Sequence, residues 1–232
     1  MEDIFANGQI ILINKPLTWT SFDAVKKLKF GLKVKKIGHA GTLDPLATGL
    51  LVICTGKFTK RIEEIQNGEK EYICKMVIGK STPSFDLETE VDQELPIDHI
   101  TEADILEKAA TFVGDISQTP PAHSAVKVNG KRAYDLARQG IEPEIKSRIV
   151  HIRSLVVDSI NLPEIQLTIN CSKGTYVRSL VRDLGKALGT CAHMTALERT
   201  KIGPYSLADA LTPEDYIAKH NDAVVKTDVH QV

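Results

Sequence analysis

The run Gly38-His39-Ala40-Gly41-Thr42-Leu43-Asp44-Pro45-Leu46-Ala47-Thr48-Gly49 holds a single carboxylate in a turn of small residues. Proline follows the acid directly and biases Asp44 towards an extended backbone. Gly38, Gly41 and Gly49 permit tight paths and close approach of a ligand. An acid on a stiff loop, with His39 five residues upstream, suits covalent addition or proton transfer. Loop chemistry alone fits an Asp turn with a solvated histidine equally well, because Asp and Gly fill turns for local reasons. A second run, Ser172-Lys173-Gly174-Thr175-Tyr176-Val177-Arg178, reads as a strand end, a Gly turn and a helix start. A cation in a first helical turn opposes the helix dipole. Arg178 therefore calls for a partner elsewhere, and a carboxylate such as Asp44 is the candidate. Taken alone, an ordinary surface arginine accounts for the same residue.

Spacing removes several other chemistries. Gly56-Lys57 with Thr59 hints at a phosphate loop, but that motif needs Gly at position 51 and Ser or Thr at 58, where Leu51 and Phe58 stand. Gly41-Thr42-Leu43-Asp44 echoes the first motif of haloacid-dehalogenase-type phosphatases, yet Gly38 and Ala40 occupy the places open to their nucleophilic Asp. A two-carboxylate glycosidase needs a second, placed acid, and no motif selects one. Cys54, Cys74, Cys171 and Cys191 form no close pair and no zinc-spaced cluster. Cys54 and Cys74 sit in apolar, strand-like runs and read as buried thiols.

The elements that must position these residues are mixed. Residues 8–14 read as a strand, and 50–54 as a buried one that anchors the Asp44 loop. Thr20 or Ser21 caps a helix to about Phe30. Residues 57–66 read as helix and 71–79 as strand, with Tyr72 near its start. Thr101 caps a helix ending at Gly114, and residues 124–128 form a short strand. Residues 131–139 read as a helix closed by Gly140. Strands over 148–160 and 165–171 pair across Asn161-Leu162-Pro163. Val177, Leu180, Val181, Leu184 and Leu188 stripe a helix over 175–188. Thr212 caps a last helix with Pro213 at its first position, and residues after His220 read as frayed. The fold class is α+β, with a mixed or antiparallel sheet.

The 232 residues suffice for one large domain, or one domain with a small appendage, and 42 % hydrophobic with 25 % charged residues is ordinary for a soluble protein. No apolar run spans a membrane and the acidic N-terminus lacks signal-peptide character, so a cytoplasmic location is expected. The net charge of −1 hides a segregation. Residues 81–107 carry nine acids and no Lys or Arg, so the rest of the chain is positive by eight. Lysines 26, 27, 29, 33, 35 and 36 lead into the Asp44 loop. Lys127, Lys131, Arg132 and Arg138 form a second basic group, and Lys173, Arg178, Arg182 and Lys186 a third. Such a distribution fits a polyanionic partner.

The chain resembles the TruB family of tRNA pseudouridine synthases. Residues 38–51 are similar to that family's central motif over its whole length. Lys15-Pro16 with Thr20-Ser21, Lys70-Glu71-Tyr72, Gln118-Thr119-Pro120-Pro121, Ser124 to Lys127, Gly130 to Gly140, Cys171 to Leu184 and Leu197-Glu198-Arg199-Thr200 extend the likeness from about residue 8 to about 210. Thr18 stands where the family usually has Gly, and residues 81–88 depart from the usual threonine-rich, Gly-containing form. The resemblance implies a pseudouridine-synthase-type sheet, mixed but largely antiparallel and flanked by helices. It implies one catalytic domain over 1–220, an RNA-gripping insertion at about 80–122 and a frayed tail over 221–232, without a C-terminal PUA-type domain. It implies isomerisation of the T-loop uridine of tRNA by glycosidic cleavage, base rotation and C5–C1′ bond formation, with no cofactor and no metal. Asp44 is then the essential acid, Arg178 orients it, and Tyr72 stacks on the target base and assists proton loss from C5. His39 fills the space left by the flipped nucleotide, Tyr176 and Leu197 line the uracil pocket, and Lys15, in the first motif, is a further substrate-binding residue. Partners implied are the T stem-loop of tRNA, no guide RNA and no membrane, with a monomeric enzyme. The rival readings are an RNA chaperone without catalysis and a synthase of the same fold that acts on another RNA.

Overall fold

Alternation in Ile10–Lys15 buries Ile11, Ile13 and Lys15 on one face of a strand, so the lysine follows two isoleucines into the interior. The computed structural model describes residues 4–229 apart from 125, 129 and 142. It divides into two compact units, one of residues up to 70 and from 198 onward, the other Glu71–Leu197.

The first unit opens with α1 (Ile4–Asn7), β1 (Ile10–Lys15), α2 (Ser21–Gly31), β2 (Ile37–His39), β3 (Ala47–Thr55) and α3 (Ile62–Asn67). β3 pairs antiparallel with both β1 and β2. Its side chains are buried on both faces, which is why Leu50 to Cys54 reads as an unbroken apolar run. Leu51 and Ile53 join Ile11, Ile13, Ala24, Val25 and Leu28 in one core layer. Leu50, Val52 and Cys54 join Ala40, Ile65 and Ile202 in the other. Thr20 caps α2 with the reciprocal Asp23 bonds of a capping box. The helix expected over 57–66 is split into a 3-10 segment, Gly56–Arg61, and α3.

The second unit runs through β4 (Lys70–Ile78), β5 (Lys80–Ser81), β6 (Gln93–Glu94), α4 (Glu102–Ala110), β7 (Gly114–Gln118), β8 (Lys127–Val128), β9 (Lys131–Arg132), α5 (Ala133–Ala137), β10 (Arg148–Asn161), β11 (Glu164–Cys171) and α6 (Val177–Ala187). β12 (Ala192–Ile202) leads back into the first unit, where β13 (Tyr205–Ser206) and α7 (Pro213–Val229) complete the chain. The order β12-β4-β11-β10-β7 makes the sheet of the second unit. β10 and β11 form the expected antiparallel pair, and β7 joins the far side of β10. α6 buries Val177, Leu180, Val181 and Leu184, the expected stripe.

Several elements differ from expectation. α4 stops at Ala110, and Gly114, at φ +104°, opens β7 instead of ending the helix. The helix expected over 131–139 begins as the second strand of a short hairpin, because Arg132 is extended, and shrinks to Ala133–Ala137. α7 continues in backbone terms past His220 to Val229. β2, β5, β6, β7, β12 and β13 were not expected. The acidic stretch at 81–97 is largely irregular, and part of it is buried. Thr82, Ser84 and Asp86 are buried in a turn where Thr82 Oγ1 and Ser84 Oγ donate to the Asp86 carbonyl at 2.6 and 3.2 Å.

Candidate active site

In the first unit, the Asp44 loop is tied down from several directions. Ser21, the first residue of α2, is buried, and its Oγ accepts from Leu43 N–H at 2.8 Å and donates to the Leu43 carbonyl at 3.2 Å. Thr18 N–H donates to the Pro45 carbonyl at 2.9 Å, and Ala47 N–H to the Asp44 carbonyl at 3.0 Å. The Lys15 ammonium donates to the carbonyls of Pro16, Trp19 and Pro45 at 2.9, 2.6 and 3.3 Å. A buried ammonium must find acceptors, and these three carbonyls take its three N–H groups. Burial pushes the Lys15 pKa down to about 8; the Asp44 carboxylate opposes that fall, while Arg199 adds to it.

Arg199 was not singled out from the sequence as a site residue. It is 1 % exposed. Its Nε donates to the Leu50 carbonyl at 2.8 Å and its Nη2 to the Gly41 carbonyl at 3.0 Å. One guanidinium thus clips together the two ends of the loop that carries Asp44. Gly49 follows from the same packing. At φ +97°, a Cβ there would lie 2.4 Å from the Arg199 carbonyl oxygen. Arg199 shares a strand face with buried Leu197, but a charge at that place gives no apolar period-2 signal in the sequence. His39 ends β2 half-buried, with Nδ1 buried and lacking a hydrogen-bond partner. Burial, then the Arg199 charge, lower its pKa, so His39 is neutral at pH 7. Lys15, His39 and Asp44 are therefore gathered in one unit, and Asp44 itself is half-buried.

The second unit holds Tyr72, Tyr176, Arg178 and Leu197. Tyr72 lies on the buried stripe of β4 with Cys74, Met76 and Ile78, and is 9 % exposed. Leu197, also buried, lies on the neighbouring strand β12. Tyr176 precedes α6, and the Gln118 side-chain amide grips its backbone at both ends. Gln118 Nε2 donates to the Tyr176 carbonyl at 3.1 Å, and Tyr176 N–H donates to Gln118 Oε1 at 2.8 Å. The Arg148 guanidinium lies 5.1 Å from the Tyr176 ring centre.

Arg178 is not an ordinary surface arginine, being 4 % exposed. Its Nη1 and Nη2 donate to the carbonyls of Ser84 and His123 at 3.1 and 3.0 Å. Its Nε lies 3.5 Å from the equally buried Asp86 carboxylate. A carboxylate that meets this cation at the helix start is thus Asp86, one of the nine acids of residues 81–107. The hydroxyls around it, Thr82, Ser84 and Thr89, were the signal that this acid is built in.

Comparison with known proteins sets these residues in a family. Residues 29–177 match the family model described as TruB family pseudouridylate synthase (N terminal domain). The chain belongs to the TruB family. Residues 178–226 match a second TruB model, the tRNA pseudouridylate synthase B C-terminal domain. A tRNA pseudouridine synthase B from Parabacteroides distasonis is 54 % identical over 217 residues, covering 91 % of this chain and 92 % of that protein. One from Flavobacterium johnsoniae is 53 % identical over 214 residues, covering 89 % and 93 %. Among solved structures, a Cbf5-Nop10-Gar1 complex matches with a TM-score of 0.73 and 28 % identity over 92 % of this chain. An H/ACA RNP bound to a substrate RNA containing 2′-deoxyuridine matches at 0.69 and 25 %. This TruB chain spans about half the length of the chains in those two structures, 54 % and 53 %. Among its described residues, no helix is long and apolar enough to cross a membrane.

Proposed function

We propose that this protein isomerises uridine to pseudouridine in tRNA, at the T-loop uridine, position 55. The observation that carries the reading is identity of about half over nine-tenths of both chains with proteins named tRNA pseudouridine synthase B. The reaction breaks the N1–C1′ bond, turns the uracil and joins C5 to C1′, with the C5 proton released. Asp44 is the essential carboxylate, adding covalently or removing a sugar proton. The clipped, partly buried loop that holds it supports that role, since a reacting carboxylate gains from fixed geometry. Arg178 orients Asp44 and keeps it ionised. A guanidinium presents five donors, so its contacts with Asp86, Ser84 and His123 are compatible with that pairing. Tyr72 stacks on the base and assists proton loss from C5. The target nucleotide is flipped out of the loop; His39, half-buried and with its pKa lowered by burial, fills the vacated space. Tyr176 and Leu197 line the uracil pocket. The catalytic domain takes in residues 1–220, with residues 80–122 gripping RNA, and it acts as a monomer in the cytoplasm.

The likeness to a Cbf5-Nop10-Gar1 complex and to an H/ACA RNP bound to a substrate RNA favours one second reading, a synthase of the same fold that acts on another RNA. One assay separates the two. Unmodified tRNA transcript tritiated at C5 of uridine is incubated with the protein alone. Release of one tritium per tRNA, mapped to the T loop and absent with Asp44→Ala, is the expected result. Binding without release favours the chaperone reading or action on another RNA, and equal release by both proteins removes Asp44 from the chemistry.

A further inference from the structure

The longest basic run of the chain is interleaved with aromatic side chains that the proposed chemistry does not use. From Lys26 to Lys36 there are six lysines and no acid, with Phe30 among them and Phe22 one turn before. Phe22 and Phe30 are 68 % and 70 % exposed. Beside them lies an open cavity of about 740 Å³ lined by Trp19, Lys26, Lys27, Phe30, Gly31 and Ile217. That is within the range of about 300–1,000 Å³ usual for ligand sites.

The walls are held in place. A Cβ on Gly31 would lie 2.4 Å from Ile217 Cδ1, so the Ile217 side chain of α7 packs directly on the α2 backbone. Lys27 Nζ meets Glu214 Oε1 at 3.3 Å across the same two helices. Asp23, the lining acid, is committed to the α2 cap, where it accepts from Thr20 N–H and Oγ1. Trp19 packs against the core on one side, and its carbonyl takes the Lys15 ammonium at 2.6 Å.

We infer that this groove between α2 and α7 binds a single-stranded stretch of RNA, one base stacking on Trp19 and Phe30 while Lys26 contacts a flanking phosphate. Aromatic faces with adjacent cations are the chemistry of sequence-tolerant single-strand binding. A protein partner would have to cover a run of six lysines with no acid, whereas a polyanion is drawn to it. The inference rests on the reading of the protein as an RNA enzyme, and it adds a contact outside the target uridine.

Trp19 is the chain's single tryptophan, so its emission reports on the groove directly. A twelve-residue oligouridylate is titrated into the full chain while Trp19 fluorescence and oligonucleotide anisotropy are recorded together. The expected result is saturable quenching that follows the anisotropy. Phe30→Ala, a truncation at an exposed position, should weaken it about tenfold. Lys26→Ala should weaken it further at low salt than at high salt. Anisotropy that rises while Trp19 emission stays constant, or quenching unchanged in both variants, overturns the inference. So does an association of the chain with itself that Phe30→Ala abolishes and oligouridylate does not compete. Tritium release from an isolated T stem-loop, unchanged by Phe30→Ala, keeps the two readings apart. If wild type releases none, the catalytic reading fails while the Trp19 titration still decides the groove.

Discussion

The loop that carries Asp44 is held by two buried cations, Arg199 and Lys15. Arg199 spans the carbonyls of Gly41 and Leu50, and a lysine in its place keeps the charge but not the two-ended reach. Arg199→Lys should therefore fold, bind tRNA with little change in KM, and lose about 10²-fold in kcat, the scale of a 1 Å misplacement. Arg199→Met leaves two buried carbonyls unpaired at about 1–3 kcal/mol each, read as a lowered urea midpoint. Lys15 adds a pH signature, since its pKa falls from 10.5 unfolded to about 8 folded. The unfolded chain thus binds more protons between those values, so this contribution to stability grows as pH rises from 8 and is lost as pH falls through 8. Activity moves the other way. Above about pH 8 the neutral amine offers two N–H groups to three carbonyls, and kcat should decline along that titration. Comparing Lys15→Met with wild type in urea melts at pH 7 and 10 isolates the stability part. A stability gap between the two proteins that does not change with pH would refute the assignment.

At the scale of elements, Thr18 is the clearest conflict between sequence and backbone. It sits at φ 69°, a left-handed conformation that costs a side-chain-bearing residue about 1–2 kcal/mol. Here the chain turns so that Thr18 N–H can reach the Pro45 carbonyl. Glycine escapes that strain but loses more entropy on folding. Thr18→Gly should accordingly keep full tritium release and gain up to about 1 kcal/mol in thermal denaturation; a marked loss would contradict this account. Elements with local signals were legible: the Thr20 capping box, the β10–β11 pair, the α6 stripe and the Asp44 motif itself. What escaped was set by distant contacts. Asp86 looks like any acid in an acidic stretch until Arg178, far along the chain, buries it. Gln118 looks like a polar strand end until it closes on the backbone of Tyr176. β12 was hidden because Arg199 interrupts its apolar pattern, although that arginine is among the most deeply buried side chains.

Across the molecule, a net charge of −1 conceals a basic surface offset by nine acids over 81–107. Binding of tRNA should weaken steeply with salt, by about 0.7–0.9 log units per log unit of salt for each phosphate neutralised. Filter binding from 50 to 200 mM salt measures the slope, and a flat line would show that contacts other than phosphates dominate. The four cysteines have a different use. All are buried and unbridged, and burial pushes the Cys74 thiol up to about 12. A thiol-reactive probe added to the native protein consequently meets no exposed sulfur, and each labelling event dates a local opening of the chain. Cys54 lies in the first unit and Cys74, Cys171 and Cys191 in the second. The order in which mass spectrometry finds them alkylated is therefore a clock for which unit comes apart first.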